Sequence, residues 1–166
     1  MLVVGIDPGI AITGFGFIRP SPSGRLDAVA FGVLRTNAGA ALPERLASLY
    51  RGMTELLALH RPDAAAVERL YFQRNVTTAM VVGEARGVLL LALAQAGIPV
   101  GEYAPGEIKQ AITAYGSAKK PQMQEMIRLL FGLPEIPRPD DAADALAVAV
   151  CHLQRAGLEQ RAGGSG

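Results

Sequence analysis

The sequence predicts one α/β domain in which a five-stranded mixed sheet is covered by helices on both faces. Three observations predict it. The chain opens on three strand-like runs separated by turns; from Pro43 the apolar spacing shifts to three and four residues; and two later short apolar runs each follow a helical stretch. Strands joined by tight turns pair antiparallel, whereas a strand that returns after a helix pairs parallel to its predecessor, so the sheet is mixed.

Residues 2–7 are rich in valine and isoleucine and run into Pro8-Gly9, the pattern of a buried strand entering a turn. Residues 10–18 make a second strand. After the turn-rich Pro20-Ser21-Pro22-Ser23-Gly24, residues 26–34 make a third and complete an antiparallel meander. Leu46, Leu49, Tyr50, Met53, Leu56 and Leu57 then share one helical face, with Pro43 suited to the first turn and Arg61-Pro62 marking the end. Residues 64–68 read as a strand parallel to the first. A long helix over 76–96 closes at Gly97, and residues 98–103 form the fifth strand. The remainder reads as helices over 105–114, 120–131 and 141 to about 155, separated by Gly116 and by a proline-rich link from Pro134 to Pro139. Residues 1–157 form one domain on this reading, and 158–166 a disordered tail.

With 50% apolar and 19% charged residues in a chain of 166, one substantial core is expected. The single cysteine, Cys151, excludes an intramolecular disulfide framework, and no clustered Cys/His pairs have structural-zinc spacing. No basic leader precedes the first strand, so a cytoplasmic location is expected. Residues 79–96 are the most apolar stretch, but Glu84 and Arg86 interrupt them, and the segment reads as a core or interface helix rather than a membrane span. The formal charge of +1 does not announce a nucleic-acid binder. With the four acids discussed next set aside, the rest of the chain is distinctly basic, which is compatible with phosphate binding.

Asp7 ends a buried apolar run, where an ionised carboxylate is costly unless paired. The alternative is an Asp-Pro-Gly turn in which Asp7 bonds its own backbone. Glu68 ends the run Ala64-Ala65-Ala66-Val67 at the carboxyl end of a parallel strand, the edge where ligands gather in open α/β sheets. An exposed surface glutamate is its ordinary alternative, yet two acids at neighbouring strand ends repel without a cation between them. Asp141 and Asp144 lie three apart on one helix face, followed by an alanine-rich run that demands close packing. Asp140, directly before them, reads as a helix cap or dipole partner. Four oxygen ligands suit Mg²⁺ or Mn²⁺, and two such ions about 3.5–4 Å apart activate water for in-line attack on a phosphodiester. No Ser-His-Asp or Cys-His set offers a rival, since His60 and His152 read as surface residues at helix ends.

These residues resemble the RuvC family, the bacterial crossover junction endodeoxyribonucleases of the ribonuclease H-like superfamily. Gly5-Ile6-Asp7-Pro8-Gly9 looks like that family's opening strand and turn, Val67-Glu68 like its second acid, and Asp141-Ala142-Ala143-Asp144-Ala145-Leu146-Ala147 like its last helix. Gly83-Glu84-Ala85-Arg86-Gly87-Val88, Ile108-Lys109-Gln110 and Gly116-Ser117-Ala118-Lys119-Lys120 match in order and spacing, so the resemblance spans residues 2 to 155. Gly-Ile-Asp-Pro-Gly also resembles the phosphate loop of actin-like ATPases, but those enzymes need two such lobes and this chain has length for one.

The resemblance implies that Asp7, Glu68, Asp141 and Asp144 bind two Mg²⁺ ions and that a homodimer cuts Holliday junctions by paired symmetric nicks. Some family members carry histidine where Asp141 stands, so Asp141 is the least anchored of the four. Lys109 and Lys120 match family lysines and, with Lys119, are expected to hold phosphates. Tyr71 matches a position usually filled by a base-stacking phenylalanine; with Arg74 and Asn75 of the loop that follows it is assigned to DNA contact, while Phe72 is left open. Gly83, Gly87 and Leu90 lie on the apolar helix and are assigned to a two-fold interface. The resemblance also implies contacts with the branch-migration proteins RuvA and RuvB. Two other readings stay open: a ribonuclease H-like nuclease acting on RNA precursors, and a non-catalytic junction-binding module.

Overall fold

The computed structural model describes residues 1–70, 76–113 and 118–163, the side chains of 159–163 excepted. The opening meander is β1 (Val3–Asp7), β2 (Ile12–Pro20) and β3 (Leu26–Arg35), followed by α1 (Leu42–His60), β4 (Ala64–Glu68), α2 (Val76–Gln95) and β5 (Val100–Tyr103). Helices α3 (Pro105–Thr113), α4 (Lys120–Leu130) and α5 (Asp140–Gly163) complete the chain. The sheet order is β3-β2-β1-β4-β5. Strand β1 pairs antiparallel with β2 and parallel with β4, and β4 pairs parallel with β5, so the expected mixed sheet is present.

Alternation along the strands divides the core into two layers. Val4, Ile6, Ala65 and Val67 face α1 and α2, packing with Leu49, Met53, Leu89 and Leu93. Val3, Ala64 and Ala66 face the other way, onto Ile108 of α3, Ile127 of α4 and the run from Ala143 to Cys151 of α5. The central strands are therefore covered on both sides, which is why β1 and β4 read as nearly continuous apolar runs.

Helix α5 lies directly on β1 and β2, and glycine permits it. A Cβ at Gly5 would stand 2.1 Å from the Ala145 carbonyl oxygen, and one at Gly14 would stand 1.9 Å from that of Asp141. Both separations are far inside contact distance, so these positions require a bare backbone. Alanine on the helix side completes the fit: Ala142, Ala145 and Ala149 are fully buried.

Two boundaries carry their own chemistry. Arg61 caps α1 in the left-handed region at φ 49°, with its N–H bonded to the Leu57 carbonyl at 2.9 Å, and Pro62 then prevents continuation. Gly97, at φ 69°, ends α2 as its position after the periodic run predicts.

Three expectations need correction. Helix α5 continues to Gly163 and takes in most of the segment expected to be a disordered tail. The residues after Arg155 are mostly good helix formers, and propensity extends the helix although Leu158 is exposed. His152 therefore lies inside a helix rather than at its end, with Nδ1 2.8 Å from the Tyr103 hydroxyl. His60 does close α1, but its ring packs on Phe17 at a centroid distance of 4.3 Å. Neither histidine is an ordinary surface residue.

Candidate active site

Asp7 and Glu68 are the last residues of β1 and β4, and the parallel register sets Ile6 opposite Val67, so the two acids leave neighbouring strand ends side by side. Because Gly5 and Ala66 face α5, the two-residue period turns Asp7 and Glu68 to that same side. There α5 supplies Asp141 and Asp144 from its first turns. Gly14 is the β2 partner of Asp7 and also the residue on which the Asp141 backbone rests. One glycine thus brings the helix start to the strand end.

The turn after Asp7 is pinned from within. Thr13 is fully buried, its hydroxyl donates to the Gly9 carbonyl at 2.6 Å, and the same oxygen accepts the Gly9 N–H at 3.3 Å. Arg86 ties α2 to the other strand end: its Nε–H donates to the Glu68 carbonyl at 3.3 Å, and its guanidinium pairs with Glu102.

The acids act on one another. Burial, then the charges of Glu68, Asp144 and Asp141, push the Asp7 carboxyl up to about 8, against a small opposing pull from Lys120. Burial and Asp144 raise Glu68, while Lys109 and Lys120 oppose them. Asp144 is raised chiefly by burial, and by Asp141 and Asp140, with Lys120 opposing. Among the described residues no three such side chains already stand close enough to grip one ion. Asp7, Glu68 and Asp144 instead share an edge at which burial and neighbouring negative charge disfavour their ionisation. A cluster of hard oxygen donors held together against its own repulsion fits a divalent cation such as Mg²⁺ or Mn²⁺.

A cleft of about 320 Å³ opens beside the acids, lined by Glu68, Lys109, Lys120, Asp144 and the apolar Ile108 and Met123. Lys120 Nζ stands 3.2 Å from Asp144 and 3.4 Å from Asp140. A cavity of about 370 Å³ between α1 and α2 is larger, but its only charged lining residue is Arg61, so size does not mark the site.

The structure therefore brings together Asp7, Glu68, Asp141, Asp144, Lys109 and Lys120. Lys119 is exposed at the start of α4 and does not line the cleft. Tyr71, Arg74 and Asn75 lie outside the described residues, as does Phe72. Gly83 and Gly87 both sit on α2; among the described residues a Cβ at Gly87 would meet nothing within 4 Å, and one at Gly83 would meet Leu70 at 3.9 Å. Leu90 packs partly against the chain's own core. Val76 (74% exposed), Met80 (62%) and Leu91 (51%) make the outer apolar stripe instead.

Sequence reading missed that stripe, Thr13, Arg86 and the role of Asp140. A charge inside an apolar helix is the signal that Arg86 has a partner. Asp140 stands in the first turn of α5, where a cap or dipole partner was expected, and its carboxylate also engages Lys120 and Arg138, the latter at 2.7 Å. No local pattern signals that, because Lys120 is supplied by another helix.

The chain is similar to known proteins over nearly its whole length. The family described as crossover junction endodeoxyribonuclease RuvC matches residues 3–152. The crossover junction endodeoxyribonuclease RuvC of Chloroflexus aurantiacus is 56% identical over 163 residues, covering 98% of this chain and 99% of that protein. Its Brevibacillus brevis counterpart is 51% identical over 154 residues, covering 93% and 92%. Among solved structures, T. thermophilus RuvC in complex with a Holliday junction substrate is 35% identical, with a TM-score of 0.87 over 95% of this chain and 96% of that one. The expected ribonuclease H-like fold is thereby present, and the chain belongs to the RuvC family of crossover junction endodeoxyribonucleases.

Proposed function

We propose that this chain resolves four-way DNA junctions in the cytoplasm as a homodimer, with Asp7, Glu68, Asp141 and Asp144 holding two Mg²⁺ ions, for which Mn²⁺ substitutes. The observation that carries the reading is the convergence of these acids at one sheet edge, with Asp7 pushed up to about 8 by burial and its neighbours. A pure phosphate binder would gain from losing that negative charge, so the intact set argues for catalysis over passive binding. When bound there, the ions supply Lewis-acid activation of water and stabilisation of the leaving 3′ oxygen. The chain's own residues do the rest. Asp7 and Glu68 fix the site to rigid strand ends, while α5 supplies the remaining carboxylates. Lys109 and Lys120 line the same cleft and meet the phosphate, with Lys119 available to the flanking backbone. Tyr71, Arg74 and Asn75 contact the opened junction, as the match of Tyr71 to a stacking position implies.

The exposed stripe Val76, Met80, Gly87 and Leu91 supports the homodimer, since large apolar side chains in a row on one helix face call for a partner. Helix α2 is long and apolar enough to cross a membrane by composition alone, but Arg86 on it is bound to the sheet edge and Glu84 is exposed. A second copy is the partner that fits, because a two-fold axis sets two identical sites against two symmetric strands. Gly83 allows close approach, and Leu90 supports the stripe from beneath. RuvA and RuvB are the further partners that family membership suggests. The solved relative named as bound to a Holliday junction substrate supports the substrate class.

The test offers a synthetic four-way DNA junction, linear duplex and an RNA hairpin in Mg²⁺, Mn²⁺ or Ca²⁺. Paired symmetric nicks in the junction with Mg²⁺ or Mn²⁺, and little cutting of the other two, are expected. Preferential cutting of the RNA hairpin would replace the reading with RNA processing. Junction binding without cutting in any metal would replace it with a binding module.

A further inference from the structure

Lys120 and Gln124 stand four apart on α4, so they share one face of that helix. Asp140 opens α5 and meets that face. Its carboxylate lies 3.4 Å from Lys120 Nζ, accepts from Arg138 at 2.7 Å and has the Gln124 side chain beside it. Gln124 and Thr13 are the buried polar side chains among the described residues, and a polar group buried between two helices needs its partner. Three side chains from two segments thus converge on one acid that lies outside the proposed ligand set.

The ammonium of Lys120 is shared between Asp140 and Asp144, the latter at 3.2 Å. A cation beside a metal site is repelled by the ions, and an Asp144 engaged with metal has less charge to offer it. We infer that Asp140 is a positioning residue that retains Lys120 at the rim of the cleft once Asp144 is committed to metal, so that the ammonium stays poised for a substrate phosphate. The inference rests on the proposed roles of Asp144 and Lys120. Arg138 and Gln124 in turn hold the Asp140 carboxylate, which a lone acid at 38% exposure would not achieve.

Asp140→Asn separates charge from helix start, because asparagine serves a helix N-terminus about as well as aspartate. Expected for this variant are an unchanged melting temperature, unchanged Ca²⁺ affinity, little change in KM and a kcat on junction DNA roughly 10- to 100-fold lower. In the Lys120→Ala background the same substitution should add no further loss. A second readout needs no turnover: in Ca²⁺-saturated protein the Lys120 ammonium resonance, assigned through Lys120→Arg, should be visible in the unsubstituted chain and lost in Asp140→Asn.

An equal kcat loss with and without Lys120, or an ammonium resonance indifferent to Asp140, overturns the inference. Weakened Ca²⁺ binding in Asp140→Asn overturns it too, by making Asp140 a ligand. Failure of the underlying reading looks different: Asp144→Asn would leave Ca²⁺ affinity intact, or Lys120→Ala would cut at the normal rate.

Discussion

Asp7 is held in a conflict that pH should expose. Its folded-state affinity for a proton is raised to about 8 from an ordinary value near 3.8, so between those limits the folded state binds more protons than the unfolded state. Its contribution therefore falls as pH rises through that window, and the metal-free protein should lose stability from acid toward mildly alkaline pH on this account. Asp7→Asn should raise the metal-free melting temperature at pH 8.5, by about 2–4 °C per kcal/mol of repulsion relieved, and change it little at pH 4. Scanning calorimetry in chelator at both values checks this; a variant less stable at pH 8.5 would contradict it. Asp7 and Glu68 could be picked out because an acid ending a buried run stands out in sequence, and Asp144 because an alanine-rich run follows it on a helix. Thr13 was not, since a threonine that bonds a nearby turn looks like any strand threonine.

At the scale of elements, the site depends on how closely α5 approaches β1 and β2. Gly14→Ala places a methyl carbon 1.9 Å from the Asp141 carbonyl oxygen, so the helix start must retreat. The expected cost is about 1–3 kcal/mol of stability from overpacking, with a larger effect on cleavage because Asp141 and Asp144 move away from Asp7. Urea denaturation read beside a junction assay separates the two; an active variant of undiminished stability would show that the close contact does not set the site. Periodicity made α1 readable and continuous apolar runs made β1, β4 and α2 so, while turn residues set their limits within a few positions. The end of α5 was hidden because Leu158 is exposed and no apolar run follows it in the sequence to mark the helix that continues to Gly163. The pairing of α4 with α5 through Asp140 was equally hidden, since it joins residues far apart in the chain.

For the whole molecule, the exposed apolar stripe on α2 and the strand end bearing Glu68 are linked through Arg86, so the proposed dimer interface and the candidate active site share one helix. If α2 forms the proposed interface, Leu91→Glu should convert the proposed homodimer to monomer by light scattering at micromolar concentration. Its melting temperature should change little beyond the lost association, because Leu91 is half exposed in the single chain. A variant that stays dimeric would move the interface elsewhere. Composition alone, with a formal charge of +1, would have passed the chain over as a DNA-binding protein. The arrangement of its charges is what counts, with acids gathered at one sheet edge and Lys109 and Lys120 beside them.

The most direct test of that arrangement is Asp7→Asn against a labelled four-way junction in Mg²⁺, with binding and nicking read on the same samples. The carboxylate site predicts junction binding at least as tight as that of the unsubstituted chain, with nicking abolished. Nicking at the unsubstituted rate would contradict it, because the acid at the centre of the cluster would then have no part in the reaction.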